Sequence, residues 1–467
     1  MPIDVPAITS RAEAEAFLDA RIGQGVKPGL ERISGLMAFA GDPQTTYPSI
    51  HIAGTNGKTT TTRMVQQILG AHGLATGGFT SPHLDRIEER FSLHGAPIDA
   101  ERFVQAVRDI AWFVVGFEDR SGDPVTYFEV TASLAFTLFA EAAVDVAVVE
   151  VGLGGRLDAT NIVDAAVSVI TGIDIDHTEY LGPTIADIAG EKAAILKADG
   201  TLVTGPLPAD ALGPVERAVE ATGANWVRTN ADFSVDEALV SVGGWQCEIE
   251  GVFTRYTDLY LPVHGRHQVD HLATAIATCE MFLGRALDAD ALATAAASMS
   301  SPGRLEVVAR RPVVIIDGAH NHQGFVGLAD TLDAEFPPLQ WQLVLGVRGE
   351  RSVSELVEPL VGRIAAIHAA AAKDGTAIPA SSVAQLAGAA LGRPASHHAS
   401  VAEALTAAIA EAGEEGGVVV AGSLYVAGEA RQRYPAARDR SADVHLRIEA
   451  EVDVADTIEG EEDLPVG

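Results

Sequence analysis

Lysine is nearly missing from this chain. Among 467 residues it occurs only at Lys27, Lys58, Lys192, Lys197 and Lys373, and arginine carries the rest of the positive charge. Against 32 Lys plus Arg stand 64 Asp plus Glu, a formal net charge of −32. Such a surplus disfavours nucleic acid or an anionic membrane as partner, because phosphates are bound by basic patches. It suits a saline cytoplasm, where dense counterions screen self-repulsion, so a halophilic protein is expected. Cysteine is scarce as well: Cys247 and Cys279 make neither a disulfide framework nor a zinc-ligand pattern. Long apolar runs are absent. The most apolar stretch, residues 131–151, is interrupted by Glu141, Asp145 and Glu150, which excludes a membrane span there. The first residues, Met-Pro-Ile-Asp-Val-Pro, lack the basic start and apolar core of a signal peptide. A soluble cytoplasmic protein is the expectation.

What is present is globular. Hydrophobic residues make up 47% and charged residues 21%, ample for a core, and the length predicts two to three domains. Short β-branched runs alternate with amphipathic stretches, the pattern of an α/β protein with a largely parallel sheet. Strands are predicted at 49–53, 144–151 and 166–173, with a helix at 59–71. The run Ser-Met-Ser-Ser-Pro-Gly at 298–303 reads as an interdomain linker, followed by strands at 313–316, 341–345 and 418–421 among Ala-rich helices. The expected domains are 1–300 and a smaller 303–448. Residues 449–467, ending in Glu-Gly-Glu-Glu-Asp and a few further residues, read as a disordered acidic tail.

Four motifs carry chemistry. Gly54-Thr55-Asn56-Gly57-Lys58-Thr59-Thr60 lies between a strand and a helix. Its glycines let backbone amides curl around phosphate oxygens, the helix N-terminus adds its dipole, and Lys58 can reach the outer phosphates. The strict nucleotide-loop pattern wants another Gly where Ile52 stands. Glu150 ends a very apolar strand, where open α/β sheets place ligand-contacting groups, and its carboxylate suits magnesium. Asp176-His177 ends the next strand and precedes Glu191-Lys192. Asp317-Gly-Ala-His320-Asn321, preceded by Pro302-Gly-Arg304, ends a strand of the second domain and could close over a nucleotide.

Together these residues resemble the folylpolyglutamate synthase/dihydrofolate synthase family of the Mur-ligase-like group. The matches run in order over roughly 25–430. They include Gly29-Leu-Glu-Arg-Ile33, Thr80-Ser-Pro-His-Leu84, Thr126-Tyr-Phe-Glu129, Glu150 to Asn161, Gly265-Arg-His-Gln268 and Gly422-Ser-Leu-Tyr425, beside the motifs above. The resemblance implies a P-loop ATPase domain with a parallel sheet, then a Rossmann-like glutamate-ligase domain. Catalysis would lie in the cleft between them, on a monomer. It implies ATP as co-substrate, held by Gly54, Thr55, Asn56, Gly57, Lys58, Thr59 and Thr60 with Arg304, Asp317 and His320, and Mg2+ ligated by Ser81, Glu150 and His177. Lys58, His177 and Lys192 would be catalytic, Lys192 matching a carbamylated lysine of the family. Thr126, Tyr127, Phe128, Glu129, Leu157, Asp158 and Ala159 match segments around the pterin substrate, and Ser423 belongs to the substrate set. Two departures stand out. Family members carry Asn where His271 follows His267, and imidazole can donate and accept in one tautomer, so His271 is placed at the nucleotide. Lys27-Pro28-Gly29, also in the substrate set, stands where dihydropteroate-binding members carry an Asp.

The implied activity is ATP-dependent addition of L-glutamate to 7,8-dihydropteroate, to tetrahydrofolate, or to both, through an acyl phosphate. Lys58, Arg156 and Arg304, with magnesium, would draw anionic substrates into an acidic protein. The alternatives are a Mur-type ligase with a non-folate acceptor, or a nucleotide switch, which would have no use for Arg304, Asp317 and Lys192.

Overall fold

The computed structural model describes residues 5–349 and 351–435. The expected acidic tail at 449–467, and the end of the second expected domain, lie outside those residues. Strand Ser49–Ala53 is buried along its whole length, as an Ile-rich run without charge should be. It sits mid-sheet, parallel to Val146–Glu150 on one side and Ala165–Ile170 on the other. Eight strands make this sheet, with Thr76–Phe79 beyond Val146–Glu150 and Thr201–Thr204 then Asn225–Arg228 beyond Ala165–Ile170. Only the short strands Phe91–Leu93 and Ala96–Pro97 at one edge run antiparallel. Helix Lys58–Ala71 buries Met64, Val65, Ile68 and Leu69 against Ile50 and Ile52 of the sheet and Leu272 and Ile276 of helix His267–Leu283.

The strand predicted at 166–173 leaves the sheet at Ile170. From there Thr171 and Asp174 bond the glycine loop instead: Thr171 Oγ1 donates to the Asn56 carbonyl at 2.6 Å, and the Asp174 amide to Thr55 Oγ1 at 3.0 Å. Sequence reading gave no strands for 234–261, yet Ser234–Ser241, Gly244–Glu250 and Arg255–Leu261 form a three-stranded antiparallel sheet. Its outer strand is mostly exposed and mixes Val, Asp, Glu and Leu, so the two-residue alternation of a half-buried strand is blurred.

The second sheet has six strands in the order Glu306–Arg310, Val313–Ile316, Gly417–Ala421, Trp341–Leu345, Ile364–Ala369 and Ala395–His397, all parallel except the first. Its central strands Gly417–Ala421 and Trp341–Leu345 are buried along their whole length and rich in Val and Leu. The result is a mixed α/β fold with two mainly parallel sheets. No helix among the described residues is long and apolar enough to cross a membrane.

Candidate active site

The loop after the central strand runs straight into helix Lys58–Ala71, so its amides point outward at a helix N-terminus, where the dipole favours an anion. Gly57, the residue before the helix, has φ 83°, a left-handed conformation that side chains resist. A second reason for glycine is spatial: a Cβ there would lie 2.3 Å from Cε1 of His271. Lys58 Nζ donates to the carbonyls of Gly54 at 3.0 Å and Thr55 at 3.2 Å. The loop borders a cleft cavity of about 600 Å³.

Gly54, Thr55, Asn56, Gly57, Lys58, Thr59, Thr60, His271, Arg304, Asp317 and His320 all line that cavity, and so do Ser81, Glu150, His177 and Lys192. Glu150 ends its strand with the carboxylate against the loop: Thr59 Oγ1 donates to it at 2.9 Å and the Ser81 amide at 3.1 Å. Burial pushes its carboxyl above the usual range, while Lys58, Ser81, Thr59 and Arg304 favour the charged form. Lys192, on helix Ile185–Ala193, donates to the Gly54 carbonyl at 2.9 Å from a buried position. Burial, reinforced by Lys58, lowers its ammonium from 10.5 to about 7. His177 lines the same cavity, but its nitrogens face Asp176 at 3.8 Å and Glu179 at 3.9 Å. Among the described residues no group of three or more His, Cys, Asp or Glu side chains could hold a metal.

The second sheet closes the cavity. Asp317 ends strand Val313–Ile316, and its two oxygens accept the amides of Leu305 and Ala319, both at 2.7 Å. That clasp holds the Arg304 loop beside the strand end. Asn321 caps helix His322–Glu335 and reaches across to Asn56, donating from Nδ2 at 3.1 Å, and Asn56 donates to Gln323 at 2.7 Å. Asp176 gathers His320 at 3.7 Å and Arg351 at 3.5 Å from the second sheet's side of the cleft. Burial opposes its charge, but His320, His177 and Arg351 outweigh that and hold the carboxyl well below the usual range. His271 packs edge-on against His267, and burial lowers its imidazolium to about 3, so the ring is neutral at pH 7.

The residues matched to the pterin segments lie outside this cavity, and several are engaged in holding the local chain. Thr126 caps helix Tyr127–Glu141 in a capping box with Glu129. Glu129 also accepts from Arg32 at 3.1 Å, and Arg32 donates to the Lys27 carbonyl at 2.7 Å. The loop with Lys27, Pro28 and Gly29 is thereby brought to Thr126–Glu129. Phe128 fills the space beside Gly152, where a Cβ would lie 2.4 Å from its ring. Asp158 is buried and accepts from Leu153 and Thr160, fixing the turn that carries Leu157 and Ala159. Ser423 caps helix Leu424–Arg431. Arg156, expected to draw anions inward, instead pairs with Glu191 at 3.0 Å and does not line the cavity, because the Arg156 and Glu191 backbones are hydrogen-bonded together.

Sequence reading missed two arginine–aromatic contacts that lie outside the cavity lining. Arg90 donates to His83 at 2.9 Å and lies over the Tyr127 ring at 5.5 Å, while Arg348 lies over Tyr425 at 4.0 Å. Scattered arginines carry no local pattern, and in a chain where arginine replaces lysine they do not stand out.

Comparison with known proteins agrees with this geometry. Residues 52–279 match the Mur ligase middle domain, and residues 303–424 the Mur ligase glutamate ligase domain. The chain is 42% identical over 386 residues to a dihydrofolate synthase/folylpolyglutamate synthase of Mycobacterium tuberculosis, covering 77% of this chain and 78% of that one. A Haloferax volcanii protein, named for folylpolyglutamate synthase together with dihydropteroate synthase, is 35% identical over 96% of this chain, which spans 54% of that longer protein. The solved M. tuberculosis folylpolyglutamate synthase with ADP superposes with a TM-score of 0.87 at 37% identity, covering 91% of this chain and 98% of that one. A phosphate loop, a buried carboxylate and a neutral-prone lysine closed over by a second sheet are the parts of an ATP-dependent amide ligase, and the chain belongs to the folylpolyglutamate synthase/dihydrofolate synthase family.

Proposed function

We propose that this ligase adds glutamate to both 7,8-dihydropteroate and reduced folates. The observation that carries this reading is the relative bearing both activities in its name at 42% identity over most of both chains. The Haloferax relative, which joins this activity to dihydropteroate synthase, supports dihydropteroate as one acceptor.

The site supports the following chemistry. Lys58 and the loop amides hold the ATP phosphates, and Arg304 and His271 bound the nucleotide from the other side. An acceptor carboxylate oxygen attacks the γ-phosphorus in line, the bond to ADP breaks, and an acyl phosphate forms. The glutamate amine then attacks that carbonyl carbon, the bond to phosphate breaks, and the amine's surplus proton passes to the departing phosphate or to solvent. Cleft closure through Asn56, Asn321 and Gln323 shields the acyl phosphate from water. Ser423 and Arg348, which is paired with Asp374, are assigned to the glutamate carboxylates on the strength of the family resemblance. Glu150 and Ser81 offer the hard oxygen donors that suit magnesium, and His177 would join them by turning from Asp176 and Glu179; the ion would neutralise phosphate charge when bound. Lys192 fits carbamylation, which requires a neutral amine: burial beside Lys58 lowers its ammonium to about 7 and makes the neutral form accessible near neutral pH. Its carbamate would carry negative charge towards the cation.

The test is product analysis by mass spectrometry with ATP, glutamate and either dihydropteroate or monoglutamyl tetrahydrofolate. Both should gain glutamate, with one ADP per amide. Product from only one acceptor would narrow the reading to that acceptor, and ATP turnover without amide would overturn it.

A further inference from the structure

None of the residues at the outer edge of the second sheet lines the cleft cavity, yet five polar side chains converge there. Edge strand Ala395–His397 pairs in parallel with Ile364–Ala369, in a register that sets Ser396 against His368. Side chains alternate along a strand, so Ser396 and His398 share a face. The His398 amide, bonded to the Ala369 carbonyl at 2.9 Å, continues that register. Three atoms meet as a result. His368 Nδ1 lies 3.3 Å from His398 Nε2 and 3.4 Å from Ser396 Oγ, and Ser396 Oγ lies 2.9 Å from His398 Nε2.

The far nitrogen of His368 fixes its tautomer. His368 Nε2 faces Gln342 Oε1 at 3.3 Å and the Glu411 carboxylate, from helix Val401–Ala412, at 3.4 Å. Two acceptors place the proton on Nε2, leaving the Nδ1 lone pair aimed at His398 and Ser396. Burial lowers the imidazolium of His368, with His398 adding to that and Glu411 opposing it, so the ring is available as a neutral donor.

The triangle has the dimensions of a coordination face. Ligands roughly 2.1 Å from one metal stand about 2.9 Å apart in octahedral and about 3.4 Å apart in tetrahedral geometry, the range these three distances span. Two imidazoles on one tetrahedral centre put their ring centroids roughly 5 Å apart, and here they are 5.4 Å apart. We propose that His368 Nδ1, His398 Nε2 and Ser396 Oγ form a site for a borderline transition-metal ion such as zinc, with the Glu411 carboxylate orienting His368 from behind. Two imidazole nitrogens favour zinc or copper over magnesium, so the site is chemically separate from the ATP-linked cation. A metal there clips an exposed edge strand to its neighbour.

The experiment is Zn2+ titration of the metal-free full chain by calorimetry in excess Mg2+, with Cu2+ electron paramagnetic resonance in parallel. The expected result is one Zn2+ per chain and a Cu2+ signal split by two imidazole nitrogens. His398→Ala, at a half-exposed position that leaves the core intact, should weaken Zn2+ by at least tenfold and remove one nitrogen from the signal. Glu411→Gln should weaken it by roughly 10-fold, as loss of an outer-sphere carboxylate does. Ligase activity with Mg2+ should be unchanged in both variants. Absence of Zn2+ uptake, or uptake and Cu2+ splitting unaltered in His398→Ala, would overturn the site.

Discussion

Lys58 and Lys192 donate to one and the same carbonyl oxygen, that of Gly54, at 3.0 and 2.9 Å. Two of only five lysines in the chain meet on a single acceptor. Each charge raises the cost of the other, and the buried Lys192 yields first: its ammonium falls to about 7. The loop proposed to receive phosphate is thus braced by a second amine from a helix far along the chain.

This lysine should tie stability to pH in carbonate-free buffer. The unfolded chain keeps the proton to about pH 10.5 and the folded chain only to about 7, so stability rises with pH between those values. The cost of the buried ammonium is complete below that window and on the order of a few kcal/mol. Urea unfolding of the wild type and Lys192→Met should show the wild type gaining on the variant from pH 7 to 10. Parallel curves would place Lys192 in water.

With bicarbonate present, the same amine should take up CO2. We expect a carbamate resonance with ¹³C-bicarbonate by NMR in the wild type and none in Lys192→Met. Activity of Lys192→Ala should drop by about 10²-fold or more. Added acetate should restore part of it by supplying the missing carboxylate.

Asp176 holds the two sides of the cleft together through His320 and Arg351. Its folded carboxyl titrates well below the usual 3.8, so its contribution is full above that value, declines as pH drops beneath it and is lost as pH falls through the folded pKa. Asp176→Asn should cost about 1–3 kcal/mol at pH 7. The difference from wild type should shrink below pH 4, as measured by denaturant unfolding.

Gly57→Ala should cripple nucleotide binding. The added methyl meets the His271 ring, and the φ of 83° is itself unfavourable for alanine. ATP affinity by calorimetry should fall about tenfold or more. Gly57→Ala combined with His271→Ala should recover only part, since the second change relieves the clash and leaves the backbone strain.

A formal charge of −32 should make the fold salt-dependent. The Debye length shortens from about 10 Å at 0.1 M to about 3 Å at 1 M, which screens repulsion among surface carboxylates. Circular dichroism should show loss of structure as salt is dialysed away. An unchanged spectrum at low salt would dismiss the halophilic reading.

The sequence by itself determined the strands at 49–53, 313–316 and 341–345 to the residue, because each is a short, uncharged apolar run with no competing periodicity. It also placed Gly57, Lys58 and Glu150 at strand-to-helix and strand-end positions, where local geometry alone dictates what a phosphate or a cation would meet. Tertiary structure decided the rest. Nothing near Lys192 in sequence announces that its amine lies buried on Gly54, and nothing near Arg156 says that it pairs with Glu191 outside the cavity. The triangle of His368, Ser396 and His398 exists only because distant strands come into register. Burial, shared acceptors and cross-strand spacing set the protonation of these groups, and those quantities belong to the packed chain rather than to any window of its sequence.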